Sequence, residues 1–410
     1  MKDLWLFTTR FPYGHNEPFL ENELPFLSQR FRRIRIVPLI RDEGMRPLPP
    51  NVEVMPPPED PYRSASPWLV LRYARTWSVL RSTVRASAPS DEVLRRRWPE
   101  ARAAMRQAIQ RMHRMRLGLF KDYDPEQVVL YSYWMADQAT ALSLMRLVDP
   151  RVRFLARMHG YDLFAERWPD AWSFFQMFQM TQVERLFIVS QAGKDYLTHR
   201  YPERADSCEL ARLGTFDHGP GPWSPSDTLR IVSCSHIVPL KRVTLLAEAL
   251  RHVRRPVRWT HFGEGPERPA LERAVRALPS HVNVSLPGNV ANQQLLAWYR
   301  TEPVDLFVHL SSTEGGVPVS MQEATSFGIP LLAADAGGVR EIVGPATGTL
   351  LPHDPEPLAI AALLDAFQEG PQHTAEFRAG VRAAWSAGFK AEVNFGHFCD
   401  RLLHAAEGRA

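Results

Sequence analysis

The sequence predicts an α/β protein of two domains, each with a parallel sheet covered by crossover helices. Its 410 residues exceed what one hydrophobic core usually serves. Short apolar runs rich in branched and aromatic residues alternate with helical stretches, which is typical of doubly wound sheets. The alternation stops at DHGPGPWSPSD, residues 217–227, and then restarts, so this proline- and glycine-rich break predicts the domain boundary.

Five strands are predicted before the break: LWLFTT, IRIVPL, QVVLYSY, VRFLARM and RLFIVS. Between the second and third lies a proline-rich run, residues 45–67. Proline removes a backbone donor and fixes φ, so we expect this run to form an irregular surface excursion with no regular element. We assign residues 1–218 to an N-terminal domain.

Strand and helix continue to alternate after the break, and we assign residues 222–392 to a C-terminal domain. The predicted strands are LRIVSCS, VRWTHFG, VNVSLPG, VDLFVHL and PLLAAD, and helical stretches such as VTLLAEALRHV and QQLLAWYR lie between them. Two such series predict two Rossmann-like domains facing each other across a cleft, with ligands at the carboxyl ends of the strands.

The composition is ordinary for a globular protein, with 45% apolar and 23% charged residues. No apolar run reaches the roughly 18 residues of a membrane span, and the start MKDLWLFTTRF does not resemble a signal peptide, so we expect a cytoplasmic protein. The three cysteines are too widely spaced to indicate a disulfide framework or a zinc site.

Positive charge is concentrated in residues 91–121, which contain nine Lys or Arg and three Asp or Glu. The stretch predicts an amphipathic helix. Its apolar face comprises Ala101, Ala104, Met105, Ala108, Ile109, Met112 and Leu119, and its other faces carry Arg102, Arg106, Arg111 and Arg114. The helix either packs on the core with a solvated basic face or docks on anionic lipid or a pyrophosphate-linked lipid. No aromatic interleaving accompanies the arginines, so we expect no nucleic acid partner.

The segment SSTEGGVPVSMQEATSFGIP, residues 311–330, carries the clearest chemical signal. We expect a short helix, Pro318 to Phe327, after the strand VDLFVHL. The unpaired N–H groups at its amino end, beside two glycines, can bind a phosphate or a sugar hydroxyl.

Two carboxylates frame this helix start. Glu323 inside the helix is suited to accept hydrogen bonds from two neighbouring ribose hydroxyls, and Glu314 before it can reach another hydroxylated part of the same ligand. The residues therefore indicate a nucleotide diphosphate-sugar. The alternative is an acidic helix start with a solvated Glu323.

The segment EGGVPVSMQEATSFGIPLLAADAGGVREIV resembles the signature of family 4 retaining glycosyltransferases, which have the GT-B fold. Other stretches resemble family motifs in the same order: FPYGHNEPFLENELPFL, RMHGYDLF, VSCSHIVPLKR, HFGEGPER and LPGNV. RMHGYDLF is similar to the HGxD segment of bacterial polysaccharide members. The resemblance covers nearly the whole chain, and it also implies that the terminal stretch 393–410 forms a helix that returns to the N-terminal domain.

The resemblance implies a role for individual residues. Glu314 would contact the donor sugar, Lys241 would neutralise the diphosphate, and His159 would lie near the reacting carbon. The implied donor-binding residues are His236, Arg242, Gly263, Glu264, Gly288, Asn289, Val290, Gly315, Gly316, Val317, Pro318, Val319 and Glu323. The implied acceptor-side residues are Tyr13, Gly14, Asn16, Glu17 and Asp162, although a simple structural turn fits the first loop nearly as well.

Two positions depart from the family pattern. The family usually places seven residues between its two glutamates, whereas eight separate Glu314 from Glu323. The family's diphosphate arginine is replaced by His236, and Arg242 is the obvious substitute. The longer spacing makes the role of Glu314 less secure than that of Glu323, and the histidine leaves one diphosphate cation missing or replaced.

The leading hypothesis is a hexosyltransferase that uses a UDP- or GDP-linked sugar and a lipid-linked or oligosaccharide acceptor. It would act with retention, in surface or exopolysaccharide synthesis, and without a metal or other cofactor. We expect it in the cytoplasm, with the basic stretch 91–121 as its candidate contact with the inner face of the membrane. The alternatives are another GT-B activity, such as a nucleotide-sugar epimerase or an inverting transferase, and a nucleotide-sugar-binding protein without turnover.

Overall fold

The chain forms two compact α/β units in the computed structural model, which describes residues 1–14 and 17–406. The N-terminal unit is Met1–Ala211 with the C-terminal residues from Phe395 onward, and the C-terminal unit is Arg212–Asn394. Each has a parallel sheet with helices between its strands, which confirms the predicted fold class. Among the described helices, none is both long and apolar enough to cross a bilayer.

The described part of the N-terminal unit contains a seven-stranded parallel sheet of order β3-β2-β1-β4-β5-β6-β7. Its strands are β1 (Asp3–Thr8), β2 (Ile34–Pro38), β3 (Val52–Val54), β4 (Val128–Ser132), β5 (Phe154–Met158), β6 (Arg185–Ile188) and β7 (Cys208–Leu210). Its helices are α1 (Phe19–Arg30), α2 (Pro67–Arg72), α3 (Ala74–Ala86), α4 (Asp91–Leu117), α5 (Asp137–Val148), α6 (Gly160–Leu163), α7 (Gln176–Gln182) and α8 (Gln191–Arg200).

One prediction for this unit was wrong. The proline-rich run 45–67 was expected to contain no regular element, but Val52–Val54 forms the edge strand β3, parallel to β2. The three residues VEV contain no proline, so their N–H groups remain available, and an edge strand pairs along one side only. Prolines on both sides confine the strand to these residues.

Residues from both ends of the chain complete the N-terminal core. Helix α15 (Ala391–Ala406) places Phe398 in the same buried cluster as Leu4 and Tyr131. Arg157 and Glu23 form an ion pair that is fully buried, and the Arg157 guanidinium lies 4.3 Å from the centre of the Phe398 ring. The ring therefore covers a charged pair that is shielded from solvent.

The described part of the C-terminal unit contains a six-stranded parallel sheet of order β10-β9-β8-β11-β12-β13. Its strands are β8 (Leu229–Cys234), β9 (Val257–Phe262), β10 (Val282–Gly288), β11 (Leu306–His309), β12 (Leu331–Ala334) and β13 (Gly348–Leu351). Its remaining helices are α9 (Val243–Leu250), α10 (Arg268–Arg276), α11 (Asn292–Thr301), α12 (Val319–Ser326), α13 (Pro357–Ala366) and α14 (Ala375–Phe389).

Each sheet has a point where the strand order reverses, between β1 and β4 in the first unit and between β8 and β11 in the second. Ligands of open α/β sheets bind outside the carboxyl ends of the strands at such a point. The loops that follow these four strands are therefore where each unit can bind a ligand.

Candidate functional site

Helix α12 follows β11 at the reversal point of the C-terminal unit. Pro318 is its N-cap residue, with φ −55° and ψ 130°, and its carbonyl oxygen accepts from the amides of Met321 and Gln322. The helix is thus one residue shorter at each end than the sequence predicted. Gly328 adopts a positive φ of 77° directly after the last turn, which confirms the predicted stop.

The amino end of α12 presents several backbone donors. Within the part of the chain that the structure describes, the N–H groups of Gly316, Val317, Val319 and Ser320 donate to no protein acceptor. These donors lie at the positive end of the helix dipole. The arrangement can therefore bind an anion such as a phosphate group.

Glu314 lies just before this helix and pairs with a cation from the loop after β8. Glu314 is 9% exposed, and its Oε1 accepts from Lys241 Nζ and lies 2.9 Å from His309 Nε2. Burial opposes ionisation of Glu314, but the Lys241 ammonium and the His309 hydrogen bond outweigh it and hold its pKa below the usual value. The carboxylate is therefore ionised.

Glu323 occupies a different environment inside α12. It is 7% exposed, and its Oε1 accepts from Asn292 Nδ2 at 2.7 Å. Burial raises its pKa to about 7, although the hydrogen bond from Asn292 acts in the opposite direction. Among the residues that the structure describes, no cation pairs with Glu323, in contrast to Glu314.

The glycines around the site allow close backbone approach. Gly337 has φ 54°, and a Cβ there would lie 1.8 Å from the carbonyl oxygen of Glu314. Gly263, the first residue after β9, has φ 143°, and its Cβ would lie 1.9 Å from the carbonyl oxygen of Ser235. A side chain at either position would displace a loop that holds the candidate site.

The remaining donor-side candidates lie in the loops after β9 and β10. Glu264 forms an ion pair with Arg268, and Gly288 has φ 81° beside it. Asn289 is exposed and Val290 is half-buried. Because the strands are parallel, these loops leave the same edge of the sheet as the loop that carries the predicted sugar-binding glutamate.

His236, which occupies the position of the family's diphosphate arginine, and its proposed substitute Arg242 differ in their surroundings. His236 is exposed. The Arg242 guanidinium bonds the carbonyl oxygens of Leu310 (2.6 Å) and His353 (2.7 Å) and the carboxylate of Asp354 (2.7 Å). Arg242 thus joins loops of the unit, and the proposal that it replaces the family's arginine stays a prediction.

A small pocket lies beside Lys241 and Arg242 at the sheet. It is lined by Ser233, Cys234, Ser235, Lys241, Arg242, Val243, Leu246, Val308, His309 and Leu310. Lys241 and His309, the two groups that contact Glu314, both border it.

The loop after β1 in the N-terminal unit is organised by Glu17. Its carboxylate accepts from the backbone amides of Thr9 (3.0 Å), Arg10 (2.6 Å) and Phe11 (2.7 Å), and from Trp134 Nε1 (2.6 Å). Glu17 is 7% exposed. Its oxygens are thus engaged by the protein, which agrees with the structural reading of this loop.

Three other predicted acceptor-side residues belong to the same loop. Tyr13 pairs with Met45 through an isolated antiparallel bridge. Gly14 has φ 61°, and a Cβ there would lie 2.8 Å from Asp42 Oδ2. Asn16 lies outside the described residues. The loop is therefore held by groups on both sides of Asn16.

His159 follows strand β5 directly, as the sequence predicted. It is 6% exposed, and neither ring nitrogen has a hydrogen-bond partner in the described part of the chain. The rings of Tyr133 and Trp134 lie 4.5 Å from it. Burial, and then the charge of Arg157, lower the pKa of His159 well below its usual value, so the imidazole is neutral.

Asp162 supports the backbone at His159 rather than its ring. Its Oδ1 accepts from the amide of His159 and its Oδ2 from that of Met135, both at 2.7 Å. Burial raises its pKa to about 6 against these hydrogen bonds. Asp162 therefore fixes the turns after β4 and β5.

No group of three or more His, Cys, Asp or Glu residues suited to a metal ion forms among the described residues. Two polar residues at the site were missed in the sequence, His309 and Asn292. His309 is the polar residue at the end of the apolar run VDLFVHL, which was a usable signal. Asn292 had none, since its partner Glu323 is 31 residues away along the chain.

The two units together have the GT-B fold. The chain superimposes on Anabaena HepE in complex with UDP with a TM-score of 0.66 at 17% identity, covering 99% of this chain and 100% of that chain. For the lipopolysaccharide outer core galactosyltransferase WaaB the TM-score is 0.63 at 14% identity, with 100% of both chains covered. At these identities the likeness shows the fold alone.

The sequence comparisons identify the C-terminal unit more closely. Residues 228–366, about a third of the chain, match the family model described as Glycosyl transferases group 1. Residues 228–366 of the C-terminal unit are therefore similar to the glycosyl transferases of group 1. This confirms the resemblance to glycosyltransferases found in the sequence.

Curated relatives share part of the chain. The D-inositol 3-phosphate glycosyltransferase of Xylanimonas cellulosilytica is 30% identical over 164 residues, 39% of each chain. The GDP-mannose-dependent alpha-mannosyltransferase of Mycolicibacterium smegmatis is 30% identical over 157 residues, 38% of this chain and 39% of its own. The chain thus matches about two fifths of the length of these relatives.

Proposed function

We propose that this protein is a hexosyltransferase. It transfers a hexose from a UDP- or GDP-linked sugar to a lipid-linked or oligosaccharide acceptor, with retention of the anomeric configuration. The single observation that carries the proposal is the set of unpaired amides at the start of α12, which lies between the Lys241–Glu314 pair and the buried Glu323. This set lies within residues 228–366, which are similar to the glycosyl transferases of group 1.

The donor binds along α12 and the loop before it. The amides of Gly316, Val317 and Val319 bind the diphosphate, and Lys241 supplies the positive charge. Glu323 accepts from the two ribose hydroxyls, and Glu314 contacts the sugar. The opposite pKa shifts of the two glutamates support this division, because one carboxylate is already paired with a cation and the other is not.

The transfer follows from where negative charge develops. The bond between the sugar's anomeric carbon and the diphosphate oxygen breaks, and an acceptor hydroxyl oxygen bonds to the same face of that carbon. The acceptor proton passes to the departing phosphate oxygen. Lys241 and the α12 amides stabilise the charge on the diphosphate, and this stabilisation acts most strongly in the transition state.

The N-terminal unit supplies His159 and the acceptor site. Buried, neutral and without a protein partner for either ring nitrogen, His159 is suited to hydrogen-bond a sugar hydroxyl. Tyr13 and Gly14 lie in the loop assigned to the acceptor. Glu17 and Asp162 act through the backbone that they bond, as positioning residues.

The acceptor class rests on two resemblances. The segment RMHGYDLF is similar to that of bacterial polysaccharide enzymes, and the structural neighbour WaaB is named a lipopolysaccharide outer core galactosyltransferase. We therefore place the reaction in surface or exopolysaccharide synthesis, on the cytoplasmic face of the membrane.

A nucleotide-sugar-binding protein without turnover is the second candidate. Arg242 is engaged by Leu310, His353 and Asp354, and His236 stands where the family has an arginine. The diphosphate would then meet one side-chain cation, Lys241. A nucleotide-sugar could still bind without the second cation. The negative charge that develops on the departing diphosphate during transfer would, however, be stabilised less.

Nucleotide binding is tested by thermal unfolding of the chain with UDP, GDP and their hexose conjugates. A ligand at 100 times its dissociation constant stabilises the folded state by about 2.7 kcal/mol. We expect one nucleotide series to raise the Tm, and Glu323→Ala to abolish the shift. Glu248→Ala, which removes an exposed carboxylate of the same unit, should leave it unchanged.

Turnover is tested separately. The product formed from the stabilising donor and a panel of lipid-linked and oligosaccharide acceptors is analysed by NMR of its anomeric proton. Retention supports the proposal, and an inverted anomer or an epimerised donor contradicts it. Binding with neither transfer nor donor hydrolysis would favour the second candidate.

A further inference from the structure

Helix α2 presents an apolar face that the rest of the described chain does not cover. Trp68 is 81% exposed and Leu71 is 63% exposed, and none of the residues of α2 is buried. The two side chains are three residues apart and so lie on one side of the helix. Val79, on the exposed side of α3, is 37% exposed. A large aromatic ring left this open in water marks an interaction surface.

The same segment is strongly basic. Residues 61–88 contain five arginines and no aspartate or glutamate: Arg63, Arg72, Arg75, Arg81 and Arg85. Within the described part of the chain, none of the five forms an ion pair. Burial, and then the charges of Arg72 and Arg116, lower the pKa of His113 nearby, which agrees with a positive local potential.

The segment is also held firmly against the N-terminal unit. From helix α4, Arg106 Nε bonds the carbonyl oxygen of Ala65 at 2.8 Å, and Arg114 Nη1 bonds that of Asp60 at 2.8 Å. Ser66 caps α2 by accepting from the Leu69 amide at 3.2 Å. The exposed face therefore belongs to an anchored element rather than to a free loop.

These contacts also change the interpretation of the basic stretch 91–121. Arg106 and Arg114 bond backbone carbonyls, and Arg111, which is 3% exposed, bonds Asp137 and the carbonyl oxygen of Pro61. Arginines engaged in this way are not available for lipid headgroups. The segment before α4 combines arginines outside ion pairs with an exposed indole, Trp68, whereas the exposed Arg95 and Arg102 of α4 lie far along the chain from its one strongly exposed apolar side chain, Leu117.

We propose that this face of α2 and α3 docks on an anionic lipid bilayer. The Trp68 surface comprises Trp68, Leu71, Val79, Arg63, Arg72 and Arg75. Trp68 and Leu71 enter the headgroup region, where an amphipathic indole is favoured, and the guanidiniums bind lipid phosphates. Each arginine near an anionic surface strengthens partitioning by about fivefold. The proposal does not depend on the transfer reaction.

The charge and the apolar content together favour lipid over other partners. Single-stranded nucleic acid requires several aromatic rings for base stacking, whereas this surface has one exposed indole. A protein partner would have to match the three arginines of this surface, which form no ion pair among the described residues, beside two aliphatic side chains. A bilayer containing anionic lipid provides negative headgroups for the arginines and an apolar region for the Trp68 and Leu71 side chains within a few ångströms of each other.

Vesicle flotation of the full-length chain tests the proposal. Vesicles of phosphatidylcholine alone are compared with mixtures of phosphatidylcholine and phosphatidylglycerol. We expect binding to the anionic vesicles that weakens as salt is raised. Arg72→Gln with Arg75→Gln should reduce partitioning roughly 30-fold, and Trp68→Ser with Leu71→Ser should reduce it about tenfold or more.

The matched control is Arg95→Gln with Arg102→Gln, which removes two exposed arginines from the stretch 91–121. This pair should bind as the unchanged chain does. Binding lost in the control and kept in the Arg72 and Arg75 variant would overturn the proposal, as would no preference for anionic vesicles. Binding of a single-stranded oligonucleotide is measured in parallel. If the Arg72 and Arg75 variant loses affinity for the oligonucleotide as much as for the vesicles, the surface would be assigned to nucleic acid instead. The Tm of each variant should equal that of the unchanged chain, because all substituted side chains are exposed.

Discussion

Lys241 donates a hydrogen bond to Glu314 although 73 residues separate them along the chain. The pair joins the loops that follow β8 and β11, the two strands at the reversal point of the sheet. His309 bonds the same carboxylate oxygen, so Glu314 is held from two sides. The ammonium is thus fixed before any donor arrives, which lowers the cost of organising the site.

Lys241→Ala should lower kcat by about 100-fold or more and change KM for the donor much less, because the charge on the diphosphate is greatest in the transition state. Steady-state kinetics with the identified donor measure both constants. Arg251→Ala, which removes an exposed cation of the same unit, is the control. Equal loss in kcat and in affinity would contradict a role in the chemical step.

His309 is expected to position Glu314. His309→Leu removes the donor to Oε1, so we expect kcat to fall about tenfold, with little change in donor affinity. His309→Gln can still donate from its amide nitrogen and should restore most of the activity. If His309→Leu and His309→Gln lower kcat equally, the loss would be due to packing at the end of β11 and not to the hydrogen bond.

Glu323 makes the stability of the nucleotide-free protein depend on pH. Its pKa is raised from the ordinary glutamate value of 4.5 to about 7 by folding, so the folded protein keeps this proton over a range where the unfolded chain has lost it. Stability therefore falls as pH rises from 4.5 to 7. Glu323→Gln removes this loss and should stabilise the protein by about 3 kcal/mol at pH 8 and hardly at pH 4.5.

Thermal unfolding at the two pH values measures this difference. Glu248→Gln, an exposed carboxylate on α9, should show none of it. A gain of equal size at both pH values would mean that the effect of Glu323→Gln is not due to ionisation. In the presence of nucleotide the same variant should bind more weakly, because an amide accepts through one oxygen only.

Gly337→Ala should disturb the Glu314 loop. The new Cβ would lie 1.8 Å from the Glu314 carbonyl oxygen, and the backbone φ of 54° is strained for alanine. We expect a lower Tm and weaker donor binding. Gly344→Ala is the matched control, since its Cβ would meet nothing within 4 Å. Unchanged binding in Gly337→Ala would show that the loop position is not needed.

Glu17→Gln tests the structural role of a residue first assigned to the acceptor. The amide would set an NH₂ group against backbone and indole N–H donors, which should cost about 2–3 kcal/mol of stability. Glu43→Gln, an exposed carboxylate nearby, should have no such effect. Weaker acceptor binding with an unchanged Tm would instead favour direct contact with the acceptor.

The strands that the sequence predicted lie in apolar runs rich in branched and aromatic residues. Those it missed, β3, β7 and β13, have three or four residues, and lie in the outer part of their sheets. Their assignment depends on pairing with a neighbour distant in the chain, which one sequence does not contain. The boundary of α12 shifted for a local reason, because Pro318 adopts an extended ψ as the cap.

The candidate site was likewise predicted in part: its main residues were found in the sequence, but their partners were not. Glu314, Glu323 and Lys241 stood out because glycines and a helix start surround them in the sequence. The structure brings Glu314 and Lys241 together and gives Glu323 a partner, Asn292, that no spacing indicated. Side-chain partners across loops depend on the sheet order, so the environment of each carboxylate could not be read from the residues alone.

The burial of Phe398 beside Arg157 and Glu23 has a consequence for biosynthesis. While the chain is being made, the first 211 residues emerge long before the ring that covers this charged pair. Until Phe398 has been translated, Arg157 and Glu23 lie in contact with solvent at a position that is buried in the complete protein. The N-terminal unit therefore reaches its final packing only after the whole C-terminal unit has been translated, against the usual order of domain folding.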